Sequence, residues 1–102
     1  MKKIAMLAAA AALFAGQGAA VAGDAAAGEA AFNGKGCVGC HGPAGKSQIP
    51  TYPALNGQDA EFLSAELTKF RSGERDNPMM SPMAAGLSDD DIANISAYLA
   101  AQ

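Results

Sequence analysis

The stretch Cys37-Val38-Gly39-Cys40-His41 (CVGCH) contains both cysteines and the only histidine of this 102-residue chain. Two thiols and one imidazole within five residues form a compact set of ligands or nucleophiles, and the sequence has no comparable cluster elsewhere. The chemistry of this stretch therefore indicates what the rest of the chain folds around.

Four chemistries use cysteines at this spacing. A structural zinc site needs four ligands, usually as two pairs, and the chain has only this one cluster. A thioredoxin-type dithiol follows a strand in a βαβ unit, which the sequence lacks, and a plain disulfide across two residues constrains little chain. The fourth is c-type haem attachment, for which Cys-x-x-Cys-His is the recognised spacing.

Covalent haem attachment gives both cysteines and the histidine of CVGCH a role. The thiols of Cys37 and Cys40 are three positions apart, so they can reach the two vinyl groups on one edge of a porphyrin as thioethers. His41 is then carried beneath the iron as the proximal ligand. The sequence therefore predicts one covalently bound haem c.

The N-terminus has the features of a secretory signal peptide. Met1-Lys2-Lys3 is basic, residues 4–15 are apolar, and Ala20-Val21-Ala22 matches a signal peptidase site. The apolar run is shorter than the roughly 20 residues of a spanning helix. We expect residues 1–22 to be cleaved after export through the Sec pathway, leaving a domain of residues 23–102 in the periplasm with no stable membrane insertion.

The mature domain is acidic. The chain has 10 acidic and 7 basic side chains, and two of the basic ones, Lys2 and Lys3, belong to the predicted signal. A surface of this sign repels nucleic acid, and no basic cluster is present to offset it. We therefore expect no nucleic-acid partner, and the charge favours a basic docking partner.

The sequence predicts helices and no strand. The first helix covers residues 25–32, with Asp24 as N-cap, and Asn33-Gly34 ends it. The second begins at Asp59 and ends before Gly73. Its expected apolar face consists of Phe62, Leu63, Leu67 and Phe70.

A final helix follows a capping box formed by Ser88 and Asp91. Its apolar stripe consists of Ile92, Ile95 and Leu99. Residues 42–58 and 74–87 contain the prolines and glycines typical of long loops. Two long loops in a small domain need a surface to pack on, which a large apolar cofactor would provide.

The methionines are candidates for the second axial ligand of the iron. Because His41 is the only histidine, a bis-histidine haem is excluded, which leaves methionine, lysine or an open position. Outside the signal, every methionine lies in residues 78–83, and none lies in a helical stripe. Methionines commonly fill cores, but this clustering in a proline-bracketed segment favours axial ligation by Met79, Met80 or Met83.

Together these motifs resemble the class I c-type cytochromes, in particular the small bacterial monohaem cytochromes of the c4 or c-553 type. The resemblance covers nearly all of the mature chain, through residues 37–42, 52–58, 70–75, 80, 87–92 and 98–99. It implies an all-α, class I cytochrome c fold. In this fold, three or more short helices and long loops wrap around one covalently bound haem.

The resemblance also implies roles for individual residues. By position, Met80 is the distal ligand, with Met79 and Met83 as alternatives. The Pro53 carbonyl would accept a hydrogen bond from His41 Nδ1 and so fix the imidazole. The first and last helices would cross at a contact made by Gly28, Phe32 and Tyr98.

The ligands and the resemblance predict a periplasmic electron-transfer protein that carries one electron between redox partner proteins. With His41 and a methionine on the iron, no position is open to a substrate, and no serine has a second histidine to activate it, so we expect no enzymatic activity. Two alternatives stay open, namely a haem subunit fixed to a periplasmic oxidoreductase and a gas-binding sensor with a labile methionine. We expect a monomer or a weak dimer.

Overall fold

The structure is a computed structural model that describes residues 23–102, so the predicted signal peptide lies outside the described residues. Over this range the backbone forms five α-helices, one 3₁₀ helix and no strand, which confirms the all-α prediction. No helix in this part of the chain is long and apolar enough to cross a membrane. The helices are α1 (Ala25–Gly34), α2 (Val38–His41), α3 (Ala60–Ser72), α4 (Met80–Ala85) and α5 (Asp89–Ala100), and the 3₁₀ helix is Pro43–Gly45.

The three long helices begin at N-capping side chains, of which the sequence predicted Asp24 and Ser88. The Asp24 carboxylate accepts hydrogen bonds from two backbone N–H groups of α1, at 2.9 and 3.2 Å. Asp59 accepts one from α3 at 3.1 Å. Ser88 and Asp91 form the expected reciprocal capping box at the start of α5, with both hydrogen bonds at 3.0 Å. These side chains satisfy N–H groups that have no partner within a helix.

Helices α1 and α5 cross in close contact, as predicted. The rings of Phe32 and Tyr98 lie with their centroids 5.7 Å apart, and Phe32 is completely buried. A Cβ atom at Gly28 would overlap the backbone carbonyl of Asn94 and approach the Tyr98 Cβ to 2.9 Å. Glycine at this position is therefore what allows the two helix backbones to approach.

Helix α3 packs beside α4 and α5, and its Leu63 and Phe70 are buried while Leu67 is half-buried. The prediction was wrong for Phe62, whose side chain is 51% exposed. The buried residues follow the helical i, i+4, i+7 spacing, whereas Phe62 is rotated by about 100° from Leu63 and lies outside that stripe. Adjacent apolar residues in a helix cannot both face the same neighbour.

Helix α4 lies within residues 74–87, which the sequence predicted to be a loop. Pro82 falls in the first turn of this helix, where a missing N–H breaks no intrahelical hydrogen bond. The proline therefore does not prevent a helix here, although it would in a helix interior. The prediction of a loop over residues 42–58 holds apart from the short Pro43–Gly45 helix.

Candidate functional site

The short helix α2 brings Cys37, Cys40 and His41 onto one helical turn. The backbone N–H of His41 donates to the carbonyl of Cys37 at 2.9 Å, which closes the turn. Both thiols are free and half-buried, and Cys37 packs against the hydrophobic core. The two sulfur atoms are therefore available for two separate thioether bonds.

The Cys37 thiol lies in a largely apolar environment. Burial raises its pKa above the ordinary value of 9.0, against smaller opposing effects of a backbone hydrogen bond and the charge of Lys35. The thiol is therefore protonated at neutral pH in this structure. A neutral sulfur is the form that an apolar site accommodates most readily.

The His41 imidazole is buried, with 7% of the residue exposed. Its Nδ1 lies 2.8 Å from the carbonyl oxygen of Pro53, the contact that the family resemblance implies. Because a carbonyl oxygen only accepts hydrogen bonds, Nδ1 carries the proton and donates it. In a neutral ring with this tautomer Nε2 carries the lone pair with which a histidine binds a metal, while the backbone carbonyl orients the ring.

The loop that contains Pro53 is attached to the end of α5. The Gly45 carbonyl accepts hydrogen bonds from two N–H groups that follow Pro53, including that of Asn56 at 3.3 Å. The N–H of Gly57 donates to the carbonyl of Leu99 at 2.8 Å. Gly45 has φ +73°, which favours glycine, and a Cβ there would lie 2.7 Å from Leu99 Cδ2. A side chain at this position would therefore overlap Leu99 of α5. These contacts hold the Pro53 carbonyl beside the buried imidazole.

The three candidate methionines differ in their surroundings. Met79 is 56% exposed and Met83 is 44% exposed. Met80 is half-buried and packs against the hydrophobic core, as Cys37 does on α2. Met80 is therefore the most buried of the three methionines.

The segment that contains the three methionines, residues 73–87, is called the methionine segment below. The sequence reasoning missed two residues that hold it. The Arg71 guanidinium donates to the Leu87 carbonyl at 3.2 Å and lies 2.7 Å from the Asp89 carboxylate. Asn77 caps the N–H groups at the start of α4. A signal for Asn77 was available, because asparagine is a common capping residue, but it depends on recognising α4 as a helix.

The donor atoms at this site fit one covalently attached haem. An imidazole nitrogen, a thioether sulfur and two free thiols are the set that a c-type haem with His/Met ligation requires. His41 has the correct tautomer, and the cysteines lie on the same helical turn. The side chains that the sequence selected are therefore chemically suited to the cofactor.

The chain is similar to known proteins. Residues 25–102 match the family model described as Cytochrome c. Cytochrome c-554(548) of Halomonas halodenitrificans is 48% identical over 84 residues, covering 79% of this chain and 99% of that protein. Cytochrome c4 of Thiocapsa roseopersicina is 44% identical over 80 residues, covering 78% of this chain and 41% of that protein.

A solved structure supports the same relationship. The cytochrome c4 of Acidithiobacillus ferrooxidans superimposes with a TM-score of 0.72 at 30% identity, over 76% of this chain and 49% of the other. The chain therefore spans half or less of the length of these cytochrome c4 proteins, and nearly the full length of the Halomonas relative.

Proposed function

The chain belongs to the cytochrome c family and is an electron-transfer protein with one covalently bound haem c, and we propose that Cys37 and Cys40 form its thioether bonds while His41 and Met80 ligate its iron. The predicted class I fold is confirmed by the match to the solved cytochrome c4. The observation that carries the proposed site is the 2.8 Å hydrogen bond from His41 Nδ1 to Pro53, which leaves Nε2 able to bind iron.

The protein residues determine what the cofactor can do. When bound, haem c supplies a one-electron couple between ferric and ferrous iron. Pro53 orients the His41 ring and keeps its proton on Nδ1. A neutral Met80 thioether favours the ferrous state and so raises the reduction potential. If His41 and Met80 both bind the iron, no position would be left for a substrate, and the protein would act as a carrier without enzymatic activity of its own.

The proposed carrier works in the periplasm, after removal of residues 1–22, and exchanges electrons with separate redox partner proteins. The signal-peptide pattern supports export. The Halomonas relative, which is almost fully covered by this chain, supports a carrier built from a single domain of this size. The excess of acidic side chains favours partners with a basic docking surface, because opposite charges steer association. Association with such a partner should weaken as the salt concentration rises.

The distal ligand is tested by three matched substitutions, Met79→Leu, Met80→Leu and Met83→Leu. Each replaces a thioether by a hydrocarbon of similar volume, so packing is nearly preserved. Only Met80→Leu should abolish the weak far-red absorption band of a methionine–iron bond in the oxidised protein. The same variant should allow the ferrous protein to bind carbon monoxide readily, and its reduction potential should fall.

The two other variants serve as the controls. Loss of the band in Met79→Leu or Met83→Leu, with the band retained in Met80→Leu, would assign the ligand to the other methionine. A wild-type protein that has no such band and binds carbon monoxide at once would favour the gas-binding alternative. Co-purification with an oxidoreductase that high salt does not release would favour a fixed subunit.

A further inference from the structure

The side chain of Asn77 contacts the backbone of the proposed ligand directly. Its Oδ1 accepts hydrogen bonds from the N–H groups of both Met79 and Met80, each at 2.9 Å. A single amide oxygen therefore fixes two successive peptide groups. The second of these belongs to the first residue of α4.

Asn77 is itself held by Ser81, one residue beyond Met80. The backbone N–H of Asn77 donates to Ser81 Oγ at 3.0 Å, and the Asn77 carbonyl accepts the N–H of Ser81 at 3.0 Å. The Ser81 hydroxyl lies 3.4 Å from the Asp76 carboxylate, to which it donates. Hydrogen bonds therefore surround Met80 on both sides along the chain and oppose rotation of its peptide group.

Helix α4 contributes few buried side chains to the protein core. Helix α4 has six residues, and Ala84 is its only buried one. A helix this short is unstable without other contacts, because too few hydrogen bonds form for the residues that are ordered. Met79 and Met83 are exposed, and Met80 is only half-buried. The capping hydrogen bonds of Asn77 are therefore a major restraint on the orientation of Met80.

We infer that Asn77 is a positioning residue that selects Met80 over Met79 as the distal ligand. Its Oδ1 holds both peptide groups so that the Met80 side chain packs against the core while the Met79 side chain remains in solvent. The inference rests on the proposed function, in which Met80 ligates the iron. Without the cap, the start of α4 would be freer to rotate, and a Met80 thioether that ligates the iron would be held less firmly.

The test uses the haem-loaded protein and the variants Asn77→Ala, Asn77→Asp and Ser81→Ala. Loss of an N-cap shifts the equilibrium between the helical and the open start of a helix by about fivefold. Asn77→Ala should therefore raise the rate of carbon monoxide binding to the ferrous protein by about the same factor. It should also weaken the far-red band and lower the reduction potential. Asn77→Asp retains an acceptor oxygen and should restore most of these properties, while Ser81→Ala should have a smaller effect in the same direction.

Asp59→Ala is the matched structural control. It removes a similar cap, the hydrogen bond to the Phe62 N–H at the start of α3, but does not touch the methionine segment. It should lower the melting temperature about as much as Asn77→Ala, yet leave the far-red band, the potential and the carbon monoxide rate unchanged.

Equal loss of melting temperature in Asn77→Ala and Asp59→Ala, with ligation unaffected in both, would overturn the inference. If Asn77→Ala does not fold, an unchanged carbon monoxide rate in Ser81→Ala would do so as well. Failure of the proposed function is a separate result, since it appears as a far-red band that persists in Met80→Leu. The two outcomes therefore cannot be confused.

Discussion

The α1–α5 crossing and the methionine segment, residues 73–87, are held in place by different interactions. At the crossing, Phe32 is 0% exposed and Gly28 brings the backbones of two helices into contact. In the methionine segment, only Ala84 and Leu87 are buried hydrophobic residues, and Met79 and Met83 are largely exposed. Hydrogen bonds made by the side chains of Asn77, Ser81 and Arg71 hold the segment instead.

This difference separates stability from ligation. A close-packed crossing does not tolerate an added atom, because interiors have few voids and transmit strain. A segment held mainly by hydrogen bonds at the surface can open locally while the rest of the protein remains folded. We therefore expect changes at the crossing to affect unfolding and changes in the methionine segment to affect iron ligation.

The largest effect is expected for Gly28→Ala. The added Cβ would overlap the Asn94 carbonyl, so α1 and α5 must separate and the contact between Phe32 and Tyr98 is weakened. Overpacking of this kind costs about 3 kcal/mol of the free energy of unfolding. Urea unfolding followed by helical circular dichroism measures this loss, and the remaining folded protein should keep its far-red band.

Gly34→Ala, in the last turn of the same helix, is the control for this change. A Cβ at Gly34 meets no atom within 4 Å, so the substitution should be neutral or stabilise the protein by up to about 1 kcal/mol. Equal stabilities of Gly28→Ala and Gly34→Ala would show that the crossing is not the close contact described here.

Local chemistry explains which features the sequence predicted correctly. The N-caps at Asp24 and Ser88, and the capping box with Asp91, follow from side chains that bond to backbone groups a few residues away. The CVGCH stretch also carries its chemistry within one helical turn. The contact between His41 and Pro53 was expected from the family resemblance, because no local rule connects residues on two separate segments.

Features that depend on tertiary contacts were not predicted. Arg71 is the clearest case, since its partners, the Leu87 carbonyl and Asp89, become neighbours only when α3 and α5 pack together. Phe62 fits an apolar stripe by sequence, and only the position of α5 shows that it faces solvent. Helix α4 was missed because Pro82 within it, and Pro78 and Gly86 on either side of it, are typical of a loop, although Pro82 occupies a position that a helix tolerates.

An intermediate effect is expected for Arg71→Met, at the end of the methionine segment. Methionine has about the length of the aliphatic part of arginine but cannot donate a hydrogen bond. The variant therefore leaves the Leu87 carbonyl without its 3.2 Å hydrogen bond. Loss of one partner of a partly buried pair lowers the free energy of unfolding by about 1 to 2 kcal/mol. Urea unfolding measures this change, and the far-red band should weaken because the segment is released at one end.

Asp89→Asn separates the two contacts of Arg71. It removes the charge of the 2.7 Å ion pair and keeps the hydrogen bond to Leu87. The Asp89 side chain is 90% exposed, and exposed ion pairs contribute between about 0 and 1 kcal/mol, so stability should hardly change. A loss in Asp89→Asn as large as that in Arg71→Met would mean that the ion pair, and not the Leu87 hydrogen bond, holds this end of the segment.

The smallest effect is expected at the start of α5, where Asp91 joins the crossing helices electrostatically. Its carboxylate accepts the Ser88 N–H at 3.0 Å and lies 3.6 Å from Lys35 Nζ, just after α1. The backbone hydrogen bond from Ser88, assisted by the Ser88 hydroxyl and the charge of Lys35, holds the pKa of Asp91 below its ordinary value of 3.8. Because the folded state favours the charged form, this stabilisation is complete above the ordinary pKa and is lost as the pH falls through the lower, folded-state pKa.

Asp91→Asn should therefore flatten the acid side of the stability profile. The amide oxygen can still accept the Ser88 N–H, but it no longer titrates, so melting temperatures below about pH 4 should depend less on pH than in the wild type. Asp90→Asn removes the same charge from the same helical turn without touching the capping box, and its profile should follow that of the wild type. Identical acid slopes in Asp91→Asn and the wild type would show that other carboxylates cause the acid sensitivity. A far-red band lost at the same pH in all three proteins would place that sensitivity in the methionine segment and not at the crossing.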